Sequence, residues 1–177
     1  MKKEAKLEDS IHNLSSDLVG RKPADDALAY VYAYGSLLSP TLMKQPCPSA
    51  TFVIKANLPN FEIQFRVPSD TGLGGTSGIV ESPGQLVQGV IYSVKKTEVT
   101  DLDILEGVPE GKYKKGQFLV LGDDKEWYEA NLYMPAIPGD LIPPAPHYLD
   151  DMIAGARAHG LDAEYTAKLV AWRKSLD

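Results

Sequence analysis

The sequence contains a single cysteine, Cys47, among its 177 residues. An intrachain disulfide is therefore excluded, and we expect a reducing compartment, the cytoplasm. No apolar run approaches the length of a membrane span, and none follows the charged start of the chain, so we predict neither a transmembrane helix nor a secretory signal. Basic residues are also scarce, with 18 Lys and Arg against 24 Asp and Glu and a net charge of −6. An acidic chain is repelled by phosphate groups, so nucleic acid and membrane surfaces are not expected partners.

Patterns that bind metals or cofactors are missing as well. The histidines show no ligand spacing with Cys47 or with paired acids, which argues against a metal site; they are His12, His147 and His159. The glycines around position 75 do not have the spacing of a dinucleotide fingerprint, and a strand follows them where that fingerprint needs a helix. We therefore predict neither a metal site nor a dinucleotide-binding site.

The organisation predicted from the pattern is one domain with a polar extension. The hydrophobic content of 44% supports one sizeable core, which we assign to 29–177. Residues 1–28 are polar and form the extension, in which Ile11, Leu14 and Leu18 have helical spacing. Strands are predicted over 29–34, 61–67, 78–81, 87–94, 117–121 and 127–134, with a turn at 82–84. Helices are predicted over 41–45, 97–106, 147–159 and 163–176.

Many strands followed by a helical tail indicate an α+β fold. We expect a small mixed sheet that is strongly curved or closed into a β-barrel, with flanking helices and a C-terminal helical tail.

Glu106 is the first candidate catalytic residue. It lies between Val99 and Leu102 on the helical wheel, hence on the apolar face, and in the last turn of the predicted helix. Burial and the helix dipole both disfavour the charged carboxylate and raise its pKa. Such a group can act as a general acid and base near neutral pH. The alternative is a structural glutamate that extends to solvent or pairs with a nearby lysine such as Lys112 or Lys114. Asp101 and Asp103 are interpreted as solvated helix positions.

The second candidate is the turn after the first strand. Tyr34 is followed by Gly35, Ser36, Leu37 and Leu38, and exposed amides after such a glycine can bind an anion, for instance a substrate carboxylate. An ordinary tight turn is the alternative. Ser36 lacks the glycine pattern of a nucleophile elbow, so we do not interpret it as a nucleophile.

Two tyrosines further along the chain complete the set of candidate residues. Tyr113 and Tyr133 are either core aromatics or hydroxyl donors.

Together these segments resemble the gamma-glutamylcyclotransferase family, from about Tyr30 to Trp172. The run 33–38 is similar to the family's substrate loop, and Leu102–Asp103 with Glu106–Gly107 and Tyr113 is similar to the segment with its catalytic glutamate. Glutathione-pathway members usually have asparagine where this chain has Leu37, and leucine there is similar to the wider superfamily, which includes gamma-glutamylamine cyclotransferases. The resemblance implies a small β-barrel, no cofactor and a homodimer.

The resemblance also implies a reaction, the release of 5-oxoproline from a gamma-glutamyl compound. The amides of 35–38 would hold the substrate's α-carboxylate, and Glu106 would move a proton from the α-amine to the leaving amine. Tyr113 or Tyr133 would bind the γ-carbonyl oxygen. There are two alternatives to an enzyme. One is a non-catalytic module that binds a carboxylated metabolite, and the other is an assembly domain that docks through 1–28 and the tail. The sequence does not identify the leaving amine of the substrate.

Overall fold

Five strands close into a β-barrel in a computed structural model that describes residues 20–177. The strands are β1 (Leu28–Ala33), β2 (Thr51–Pro68), β3 (Gly75–Lys95), β4 (Tyr113–Gly122) and β5 (Trp127–Pro135). Around the barrel they lie in the order β1-β3-β2-β4-β5. The helices are α1 (Pro40–Met43), α2 (Lys96–Leu105), α3 (Pro146–His159) and α4 (Ala163–Lys174), and a 3-10 turn covers Ser36–Leu38. The predicted helical spacing within 1–19, and His12, lie outside the described residues.

The sheet is mixed, as predicted. All neighbouring strands run antiparallel except β1 and β5, which meet in parallel at Val31 and Asn131 and close the barrel. Closure leaves two walls of apolar side chains, one facing the barrel interior and one facing the helices. The expectation of an α+β fold with a closed barrel and a helical tail is confirmed.

The turn predicted at 82–84 is wrong as a strand boundary, because β3 continues through it. The ladder between β2 and β3 shifts register between the pairs Phe61–Glu81 and Pro59–Leu86. The extra residues of β3 form a bulge in which Gly84 has a φ of 84° and its amide donates to Asn60 Oδ1 at 3.1 Å. Turn-forming residues are thus accommodated as a bulge, since pairing on both sides holds the strand together.

The two C-terminal helices lie against the side of the barrel that carries the 3-10 turn. Gly155 of α3 packs on the backbone of Leu38 so closely that a Cβ there would overlap it. Gly160 ends α3 with a φ of 67°, the left-handed conformation expected of a helix-terminating glycine. Leu169 of α4 is buried, and Tyr165 and Trp172 of the same helix pack against the same core.

Candidate active site

A cavity of about 260 Å³ lies where the end of β1 meets the 3-10 turn, the start of β3, the end of α2 and the start of α3. It is lined by all but one of the residues predicted for the site, namely Tyr34, Gly35, Ser36, Leu37, Glu106, Tyr113 and Tyr133. Leu38 is fully buried in the core instead. Segments more than a hundred residues apart in the chain therefore meet around one cavity.

Glu106 is positioned by the end of α2. Val99 and Leu102 of that helix are buried, and the Glu106 amide donates to Leu102 O at 3.0 Å, so its side chain leaves the helix on the same apolar side. Gly107 then turns the chain away with a φ of 67°. Burial raises the pKa of Glu106 from 4.5 to about 7, and the positive charge of Lys112 partly opposes that rise. The carboxyl group can therefore accept and release a proton near neutral pH.

Lys112 is the basic residue of the cavity wall, and its partner is not Glu106. Its Nζ donates to Asp70 Oδ1 at 2.6 Å, and within the described residues no ion pair joins it to Glu106. The alternative of a lysine-paired structural glutamate is therefore not what the geometry shows.

The turn after β1 presents backbone amides to the cavity. Within residues 20–177, the amides of Gly35 and Leu37 have no acceptor, whereas Ser36 donates to Tyr148 Oη at 3.3 Å. The Leu38 amide donates to Gly35 O at 3.0 Å and closes the 3-10 turn. Two amides next to the cavity are thus free for an anion.

Glycine is required at position 35 by the packing around it. A Cβ there would lie 2.7 Å from Tyr148 Oη and would overlap Ser77 Oγ. The turn can approach β3 and α3 only without a side chain at this position.

Three tyrosine hydroxyl groups at the cavity are directed to acceptors in the protein. Tyr34 Oη donates to Tyr133 O at 2.5 Å, and Tyr113 Oη donates to Ser77 O at 2.6 Å. Tyr133 Oη donates to Asp103 Oδ1 at 2.5 Å. Because a carbonyl or carboxylate oxygen can only accept and each hydroxyl has one hydrogen, these hydroxyl oxygens have only lone pairs left for other partners. One lone pair of Tyr113 also faces Thr76 Oγ1 at 2.7 Å.

Tyr148 is a site residue that sequence reasoning missed, together with Ser77. Tyr148 Oη lies 2.8 Å from Ser77 Oγ and accepts from the Ser36 amide, and both side chains line the cavity. If Ser77 is the donor of that pair, the hydrogen of Tyr148 is free to point into the cavity. Neither residue belongs to a local motif, so only their tertiary contacts reveal them.

Asp103 is not the solvated residue that the sequence predicted. Its side chain is only 24% exposed, because it accepts from Tyr133 and pairs with Lys115 at 2.8 Å. The available signal was its spacing of three residues from Glu106, which places both on one side of α2.

A thiol nucleophile and a metal centre find no support among residues 20–177. Cys47 is buried, and burial raises the pKa of its thiol to about 11, so it is not a reactive thiolate at neutral pH. Residues 20–177 contain no group of three His, Cys, Asp or Glu side chains able to hold a metal ion. No helix among them is long and apolar enough to cross a bilayer.

Comparison with known proteins assigns the fold to a class. The model of the AIG2-like family matches residues 86–169, which include α2 and Glu106. A solved structure of a gamma-glutamyl cyclotransferase superposes with a TM-score of 0.78 and 31% identity, covering 81% of this chain and 87% of that one. The closed barrel therefore has the fold of a gamma-glutamyl cyclotransferase.

Sequence relatives define the family within that class. The gamma-glutamylcyclotransferase of Bos taurus is 33% identical over 151 residues, 82% of this chain and 80% of the bovine protein. That of Homo sapiens is 32% identical over 153 residues, 84% of this chain and 80% of the human protein. The chain belongs to the gamma-glutamylcyclotransferase family and is an enzyme of that class.

Proposed function

We propose that the protein releases 5-oxoproline from gamma-glutamyl amino acids or amines, with Glu106 as the general acid and base. The proposal rests on the carboxyl group of Glu106, which lies in a cavity beside free amides and tyrosine oxygens. Burial raises the pKa of this group to about 7. A perturbed carboxyl group in a concave site is typical of acid–base catalysis.

The free amides of the turn suit one end of the substrate. A gamma-glutamyl compound carries an α-carboxylate, and the amides of Gly35 and Leu37 offer it two donors. Ser36 adds a third donor if the substrate replaces Tyr148 as its acceptor. Leu37 contributes no side-chain amide, so carboxylate recognition here rests on the backbone.

The reaction proceeds without a covalent enzyme intermediate. Glu106, as the carboxylate, takes a proton from the α-ammonium, and the resulting amine attacks the γ-carbonyl carbon to form the C–N bond of a five-membered ring. Glu106 delivers its proton to the leaving nitrogen as the bond from that carbon breaks, and the carboxylate freed in this way accepts the second proton of the ring nitrogen. Holding the two ends of one molecule together is worth effective molarities on the order of 10⁵ M or more.

Tyr148 is the hydroxyl group best placed to stabilise the negative charge on the γ-carbonyl oxygen. The hydrogens of Tyr113 and Tyr133 are directed to Ser77 O and Asp103, whereas Tyr148 can accept from Ser77 and donate to the substrate. A preorganised donor aimed at a developing oxyanion lowers the barrier to attack. Tyr113 and Tyr133 would then bind the substrate through their lone pairs.

A mass-spectrometric assay for 5-oxoproline tests the proposal. Purified protein is incubated with a panel of gamma-glutamyl amino acids and amines, next to the variants Glu106→Gln and Glu110→Gln. Glu110 is exposed on the loop after Gly107 and serves as the matched control. We expect product from the wild type and from the Glu110 variant, and loss of turnover with a retained fold in the Glu106 variant.

Near-normal turnover in the folded Glu106 variant would overturn the mechanism. Silence of the wild type across the panel, with ligand-induced stabilisation, would favour the alternative of a module that binds a carboxylated metabolite. Cytoplasmic location and a homodimer are further predictions, and light scattering on the purified protein tests the second.

A further inference from the structure

We infer that Asp103 is a positioning residue that makes Tyr133 a hydrogen-bond acceptor for the α-ammonium group of the ligand. The inference rests on the proposed function, because it assumes a ligand with an α-amine in this cavity. Asp103 is not part of the cavity wall, so its effect must pass through the hydroxyl group of Tyr133.

Tyr133 is held both at its backbone carbonyl and at its side-chain hydroxyl. Its backbone carbonyl accepts from Tyr34 Oη at 2.5 Å, and its hydroxyl donates to Asp103 Oδ1 at 2.5 Å. Asp103 in turn is oriented by Lys115, whose Nζ donates to Oδ2 at 2.8 Å. The ring of Tyr133 is buried between these contacts, so the position of its hydroxyl oxygen at the cavity is determined by the protein before a ligand binds.

The direction of the Tyr133 hydrogen bond decides what the oxygen can bind. With its only hydrogen committed to a carboxylate, the oxygen presents lone pairs to the cavity and can accept but not donate. A group that carries several hydrogens and a positive charge, such as an α-ammonium, is the matching partner, since charge-assisted hydrogen bonds are stronger than neutral ones. A carbonyl oxygen or a carboxylate would meet only lone pairs there.

The same arrangement positions the amine for the attack. Glu106 lies near enough for its charge to raise the pKa of Tyr133, although burial and the bond to Asp103 are the larger causes of that rise. Tyr133 and Glu106 also line the same cavity, so an ammonium held by Tyr133 stays in the space that the base faces. After proton transfer, the amine still donates one hydrogen to Tyr133 Oη, which restricts the direction of its lone pair.

The substitution Asp103→Asn reverses the polarity of this contact while preserving its shape. Lys115 requires an oxygen, so the amide Oδ1 is expected to face Lys115 and the Nδ2 group to face Tyr133 Oη. The hydroxyl hydrogen of Tyr133 then points towards the cavity, where its positive partial charge repels an ammonium group. Asp101→Asn, an exposed change on the same helix, removes the same charge without touching Tyr133 and is the matched control.

Ligand binding is measured by calorimetry in a Glu106→Gln background, which prevents turnover. The probes are L-glutamate γ-methylamide and N-methylglutaramate, which has the same skeleton without the α-amine. We expect Asp103→Asn to weaken binding of the first probe about tenfold, the range of a charge-assisted hydrogen bond, and to change binding of the second less than about twofold. Asp101→Asn should affect neither probe.

A second comparison separates positioning from a structural role. In a background that also carries Tyr133→Phe, Asp103→Asn should have no further effect on either probe, because the two residues act as one unit. Equal weakening of both probes, no weakening of the first, or absence of binding by the folded protein would each overturn the inference. Discrimination between the probes in a protein that releases no 5-oxoproline would support it and reject only the proposed function.

Discussion

Glu106 should make the protein less stable at neutral pH, and Glu106→Gln should relieve that cost. Burial raises the pKa of Glu106 from 4.5 to about 7 in the folded protein. Between these two pH values the folded state binds a proton that the unfolded state has lost, so the free energy of unfolding falls as pH rises through this window. Below pH 4.5 both states are protonated and the effect vanishes.

The size of the effect follows from the same pKa difference. A pKa change of one corresponds to about 1.4 kcal/mol, so the ionised carboxylate destabilises the fold by up to about 3 kcal/mol above pH 7. Proton linkage gives a loss in the free energy of unfolding of about 1 kcal/mol at pH 5 and about 2 kcal/mol at pH 6. Glutamine has a similar shape and no charge to bury, so the variant should gain these amounts relative to the wild type.

Urea denaturation of the wild type and of Glu106→Gln between pH 5 and pH 8 measures the difference directly. All other titrating groups are common to the two proteins, so their contributions cancel. Glu110→Gln, on the exposed loop, should show no comparable pH dependence. A stability difference that is independent of pH, or that shrinks as pH rises, would refute the reasoning that burial causes the raised pKa.

Two further predictions concern the pH profile and the turn. The value of kcat/KM should fall with decreasing pH through a midpoint near 7 as Glu106 becomes protonated. Lys112→Met should move that midpoint upwards, because the lysine lowers the pKa of Glu106. An unchanged midpoint in the folded variant would contradict this coupling. Gly35→Ala should lower activity and reduce the free energy of unfolding by about 1 to 3 kcal/mol, since its Cβ would overlap Ser77 Oγ and meet Tyr148. Thermal denaturation and the 5-oxoproline assay check it, and wild-type values in both would show that the turn can move away.

Local patterns account for the elements that carry the site. The apolar stripe of α2 and the glycine after it place Glu106 at the end of a helix with its side chain on the buried side, and both features can be read from consecutive residues. The turn at Gly35 follows a strand of aromatic and β-branched residues in the same local way. The bulge at Gly84 was misread because a turn and a bulge use the same residues, and only the paired strand β2 distinguishes them.

What the sequence by itself determined is the chemistry at two points, an acid on the apolar side of a helix end and a glycine turn with free amides. These follow from short-range periodicity and backbone sterics, which act over a few residues. The tertiary structure decided which hydroxyl groups donate and which accept. Ser77 and Tyr148 reach the cavity from a strand and a helix, and Asp103 contacts Tyr133 from a second helix. The direction of each hydrogen bond depends on a partner far away in the chain.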